Sequence, residues 1–190
     1  RDEVEITVEP KQEDRPDIDQ FSITCTPLEK AETSLRLIRS QGYERVMIFC
    51  NTKDMTARLC DRLKKAGYQA ECLHGDVRQS FRDKVMSGFR KGEFEILVAT
   101  DVAARGIDVD DVEAVFNYDL PDKQEFYVHR IGRTGRAKRA GVSFSFVSFR
   151  DSIRMDEILK YIDSKPISLV FDDFGTLCYK EDGTPFLENA

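Results

Sequence analysis

Between Arg45 and Leu73 the chain reads RVMIFCNTKDMTARLCDRLKKAGYQAECL, and this stretch carries the architecture in small. Arg45 to Cys50 is a short, nearly continuous apolar run of the kind a strand needs when both of its faces are covered. Thr52 is placed to cap a helix in which Met55, Leu59, Leu63 and Ala66 recur at helical spacing until Gly67 stops it. Ala70 to Leu73 then reads as strand again.

The same alternation extends in both directions. Upstream, the strand-like run Phe21 to Thr26 precedes a helix predicted to gather Leu28, Ala31, Leu35 and Ile38 on one face, closed by Gly42 in a left-handed cap. Downstream, a helix bearing Phe81, Val85, Met86 and Phe89 leads through Gly92 to a strand at Glu95 to Thr100. A strand at Val112 to Tyr118, a helix at Lys123 to Ile131, a strand at Val142 to Val147 and a helix presenting Met155, Ile158, Leu159 and Ile162 complete the series. The fold class is therefore α/β, a mostly parallel sheet with helices on both faces. In such sheets ligands sit outside the carboxyl ends of the strands. Here those ends are polar: Asn51 and Thr52, His74 to Asp76, Thr100 and Asp101, and Asp119.

Composition narrows the partners. The chain of 190 residues carries a net charge of -6, but the acids are concentrated at its ends. Residues 1–20 hold eight acids against Arg1, Lys11 and Arg15, with Pro10 and Pro16, the composition of a linker or extended arm. Residues 164–190 are also acidic, which leaves residues 21–163 mildly basic, so a low isoelectric point does not exclude nucleic acid. No apolar stretch is long enough to span a membrane, and no membrane role is expected. The five cysteines form no Cys-x-x-Cys pair, so no metal site is expected and they read as reduced thiols of a cytoplasmic protein. The chain opens on Arg1 rather than methionine, as an excised or processed piece would.

The strongest chemical signal is HRIGRTGR, His129 to Arg136. Four arginines and a lysine fall between 129 and 141 with no acid among them, and Gly132 and Gly135 break the helix between the arginines. A solvated basic helix end would have this composition, but guanidinium groups converging from a tight backbone suit phosphate oxygens, which they grip with two donors while staying permanently charged.

HRIGRTGR resembles motif VI of the DEAD-box helicases of superfamily 2. VATDVAARGIDV (Val98 to Val109) resembles motif V, LHGDVRQSFR (Leu73 to Arg82) motif IVa, VMIFCNTK (Val46 to Lys53) motif IV, and NYDLP (Asn117 to Pro121) the short motif between V and VI. These blocks stand in family order and cover about residues 21–150. His129 favours the DEAD-box branch, since DEAH-type and RecQ-type relatives tend to carry Gln there. AKRA, Ala137 to Ala140, departs from the glycine-containing turn of many relatives.

The resemblance implies a RecA-like three-layer domain, the C-terminal one of two in an ATP-dependent RNA helicase. By that likeness residues 1–20 are the interdomain linker, 21–163 the domain, and 164–190 an appendage or the start of a further region, with a solvated tail as the plainer alternative. Arg133 and Arg136 match the arginine fingers, and Gly106 and Asp108 lie where the ATP ribose is met. Thr100 and Arg82 are implied RNA-phosphate contacts, and Asn51, Thr52, Gly75 and Gln79 lesser candidates. For Thr100 a helix cap, and for Gln79 a structural hydrogen bond, are equally available. ATP with Mg²⁺ is the implied cofactor and RNA the implied partner, together with the N-terminal RecA-like domain of the same protein. The sequence contains no P-loop and no Asp-Glu-Ala-Asp box, so this chain alone is not expected to hydrolyse ATP. Two other readings stay open: a stand-alone RNA- or protein-binding module, for which the aromatic and acidic segment 164–190 offers a surface, and a DNA translocase of the same superfamily.

Overall fold

The computed structural model describes residues 18–107, 109, 111–135 and 140–186. Its elements run β1 (Ile18–Thr24), α1 (Lys30–Gln41), β2 (Val46–Phe49), α2 (Lys53–Lys65), β3 (Ala70–Leu73), α3 (Gln79–Arg90), β4 (Ile96–Ala99), α4 (Asp101–Ala104), β5 (Ala114–Asn117), α5 (Gln124–Ile131), β6 (Gly141–Val147), α6 (Ser152–Ile162), β7 (Ile167–Phe171) and β8 (Leu177–Tyr179). They build one sheet in the order β3-β4-β2-β5-β6-β1-β7-β8. Every pairing is parallel except that of β8 with β7. The α/β reading, a RecA-like parallel sheet clad by helices, is what the chain forms.

The continuous apolar runs follow from the layering. Along β2, Val46 and Ile48 join a core with Leu35 and Ile38 of α1 and Leu59 and Leu63 of α2. Met47 and Phe49 point the other way, into a core with Val85 and Phe89 of α3 and Ala103 of α4. A strand enclosed on both sides has no face left for polar residues. A third cluster, Tyr127, Ile131, Met155 and Ile158, packs α5 against α6. Thr52 caps α2 by accepting from the Met55 amide at 3.1 Å, and Gly42 closes α1 at φ 66°.

Three apolar side chains lie elsewhere than their periodicity suggests: Ala66, which is exposed because it is already the C-cap of α2, Leu28 and Phe81. Leu28, expected on the α1 face, is 93 % exposed, because Pro27–Glu29 forms a separate 3-10 turn held by a Thr26–Glu29 capping box and α1 begins only at Lys30. Phe81, expected among the buried residues of its helix, is 44 % exposed, because the first turn of α3 sits at the sheet's carboxyl edge and the core reaches only from Val85 onward.

Residues beyond 163 extend the sheet. β7 lies parallel to β1, β8 turns back along β7, and the chain then folds over so that Phe186 is buried edge-on against Phe21, centroids 4.9 Å apart. At the other end, β1 begins at Ile18, and Ile18 to Gln20 already pair with Gly141 to Ser143. Residues 1–17 lie outside the described residues, as do 187–190.

Candidate functional site

The carboxyl ends of β2, β4 and β5 and the end of α5 meet around one buried cation. Arg130 lies in the inward stripe of α5 with Tyr127 and Ile131, three and four residues apart, and is 1 % exposed. Its guanidinium donates to both carboxylate oxygens of Asp101, Nε to Oδ1 at 2.7 Å and Nη2 to Oδ2 at 2.6 Å. Nη2 also donates to Asn51 Oδ1 at 2.8 Å, Nη1 to the Asp119 carbonyl at 2.6 Å, and the group lies over the Phe49 ring at 5.2 Å. A charge taken this far from water is tolerable only when its partners are this complete.

From there the network runs along the sheet edge. Asn51 donates through Nδ2 to the Leu120 carbonyl at 2.8 Å, and its amide donates to Asp119 Oδ2 at 2.9 Å. Lys30, 7 % exposed, stands 3.5 Å from Asp119 and 4.0 Å from Asp151. Burial raises the Cys50 thiol and pushes the Tyr118 hydroxyl up to about 12, so both stay protonated. The site presents fixed charge and supplies no poised general base of its own from these groups.

Arg133 follows α5 in a turn whose backbone passes through Gly135 at φ 74°. Its guanidinium donates to the carbonyls of Ala104 at 3.1 Å, Val109 at 3.4 Å, and Ile107, clasping the loop that contains Gly106. Thr134 Oγ1 donates to the Val112 carbonyl at 2.5 Å, and the Val112 amide donates to the Arg133 carbonyl at 3.2 Å. A methyl group on Gly141, the first residue of β6, would overlap Gly135 N and Thr134 Oγ1, so the arginine turn is seated on a bare backbone. Beside it opens a cleft of about 200 Å³ bordered by Arg105, Gly106, Phe126, His129 and Arg133. Arg136 and Asp108 lie outside the described residues.

The remaining candidates spread along the same edge. Thr100 caps α4, accepting from the Ala103 amide at 3.3 Å. Arg82 donates to the Ala103 carbonyl at 2.7 Å, tying α3 to α4. Gln79 donates to Asp83 at 2.9 Å, and Thr52 and Gly75 are exposed. Asn51 differs from these in that its side chain turns inward, between Arg130 and Leu120.

The structure thus divides the arginine cluster that the sequence presented as a unit: Arg130 is neutralised by Asp101, whereas Arg133 holds the carbonyls of the loop containing Gly106, and both border the cleft. The Arg130–Asp101 pair and its extension to Lys30 were not anticipated. The signal for it was an arginine in the buried stripe of a helix, which calls for an acid, and Asp101 and Asp119 were the acids standing at strand ends.

Comparison with known proteins agrees with this geometry. The family described as helicase conserved C-terminal domain matches residues 29–138. DEAD-box ATP-dependent RNA helicase CshA of Bacillus cereus is 42 % identical over 153 residues, which are 80 % of this chain and 29 % of that protein. The chain therefore spans under a third of that relative's length. Among solved structures, Escherichia coli DEAD-box protein SrmB bound to regulator of ribonuclease activity A superposes with a TM-score of 0.74 at 34 % identity, covering 81 % of this chain and 91 % of that one. Saccharomyces cerevisiae Dbp5 bound to RNA and ADP BeF3 gives 0.77 at 35 %, covering 84 % and 43 %. With the motifs, the sheet and the arginine turn all in agreement, the chain belongs to the helicase conserved C-terminal domain family, as the C-terminal RecA-like domain of a DEAD-box helicase.

Proposed function

We propose that the chain is the C-terminal motor domain of an ATP-dependent RNA helicase, supplying arginines to an ATP held mainly, with its Mg²⁺, by the N-terminal RecA-like domain of the same protein. The observation that carries this reading is the seating of Arg133 at the mouth of the cleft beside Gly106, on a turn locked to β6 and to the loop 104–109. Its acceptors include the neutral carbonyls of Ala104, Ile107 and Val109. A phosphoryl oxygen, carrying charge, competes with them favourably. Arg136 completes the pair of arginine fingers, and Asp108 with Gly106 takes the ribose.

RNA lies along the same edge, its phosphates held by Thr100 and Arg82 with Thr52, Gly75 and Gln79 beside them, while Asn51 contributes by keeping Arg130 and the 119–120 backbone in place. The relative Dbp5 is known bound to RNA and ADP BeF3, which supports the joint use of both ligands. Contacts to sugar and phosphate give little sequence preference. In the full-length protein Arg133→Ala and Arg136→Ala are expected to lower RNA-stimulated ATP hydrolysis by about 10³- to 10⁵-fold while changing RNA affinity little. Hydrolysis indifferent to RNA, or unaffected by both substitutions, overturns the reading.

A further inference from the structure

We infer that Phe81 forms a platform for a base of the bound RNA, a contact additional to the phosphate contacts proposed above and resting on them. Phe81 is an aromatic side chain left 44 % exposed on the first turn of α3, although the same helix buries Val85, Met86 and Phe89. Arg78, the extended N-cap of α3, and Arg82 in its first turn flank Phe81 along the chain, and the Arg82 amide donates to the Arg78 carbonyl at 2.9 Å. Arg82 ties this turn to α4 through the Ala103 carbonyl. The start of α3 thus sets an exposed ring between two cations.

Local carboxylates do not neutralise it. Asp83 accepts from Gln79, Asp76 is paired with Lys53 at 2.7 Å, and no acid pairs with Arg78 among the described residues. An exposed ring between arginines, on the edge where the phosphates are held, matches what single-stranded nucleic acid requires: cations for the backbone and an aromatic face for a base. Every base has a π-face, so such a platform adds affinity without demanding a sequence. Because Phe81 is outside the core, replacing it leaves the fold intact.

The test separates base from backbone. In the full-length protein with a non-hydrolysable ATP analogue, binding of a single-stranded oligo-uridylate and of the same oligomer made wholly abasic is measured for the parent, Phe81→Ala, Phe81→Trp and Arg82→Ala. Phe81→Ala is expected to weaken binding of the intact oligomer by about tenfold, and to change nothing on the abasic one. Phe81→Trp retains the parent affinity, and Arg82→Ala weakens both oligomers. Equal affinity of Phe81→Ala for the intact oligomer, or an equal loss on both oligomers, overturns the platform while leaving the phosphate reading standing. If Arg82→Ala also binds both like the parent, the whole RNA surface is misplaced.

Discussion

Arg130 is held by five acceptors' worth of geometry rather than by water: two oxygens of Asp101, one of Asn51, the Asp119 carbonyl, and more distantly Asn117 at 3.4 Å. Removing one partner of such a buried pair strands the other charge, which typically costs about 3–5 kcal/mol, whereas an apolar pair of similar volume can be neutral. Asp101→Ala is therefore expected to lower the urea midpoint markedly. The double variant Asp101→Ala, Arg130→Met should recover most of that loss. A coupling near zero between the two positions would mean that each acts alone. The arginine was visible in the sequence, but its role was not. HRIGRTGR presents its arginines as equivalents, and only the orientation of α5 shows that one of them faces Asp101, 29 residues away.

At the scale of elements, the arginine turn depends on the absence of a side chain opposite it as well as on its own hydrogen bonds. Gly141 begins β6 where any Cβ would strike Gly135 and Thr134, which are backbone and a buried hydroxyl and have no room to yield. Gly141→Ala is expected to push the turn off β6, destabilising the domain by about 1–3 kcal/mol and cutting RNA-stimulated hydrolysis while RNA affinity stays close to the parent value. Equal losses in hydrolysis and RNA binding would point to global damage instead. Strand and helix positions were largely legible, because apolar runs, capping threonines and stop glycines act over a few residues. Leu28 and Phe81 were not, since helical phase says which side a residue takes but not where the facing core ends.

For the molecule as a whole, the far edge of the sheet depends on one aromatic anchor. Phe186 packs on Phe21, Phe144 and Tyr179 with centroids 4.9, 6.4 and 5.6 Å away, and so clamps the returning chain onto β1, β6 and β8. Phe186→Ala should cost about 3–5 kcal/mol if the site cannot collapse, and amide exchange should rise first in β7 and β8. Protection lost evenly across the sheet would show instead that this edge unfolds only with the rest. The central strands and their helices, the polar carboxyl edge and the arginine turn could all be read in one dimension, since each is written in neighbouring residues. Which arginine turns inward, that Lys30 is tied to Asp119 and Asp151, and that residues 167–179 lengthen the sheet beside β1 depend on contacts between distant segments. Ser22 and Ser168, 146 residues apart, face each other on adjacent strands because the crossovers bring them there. Local pattern specifies what an element buries, whereas the packing of all the elements together specifies what it is buried against.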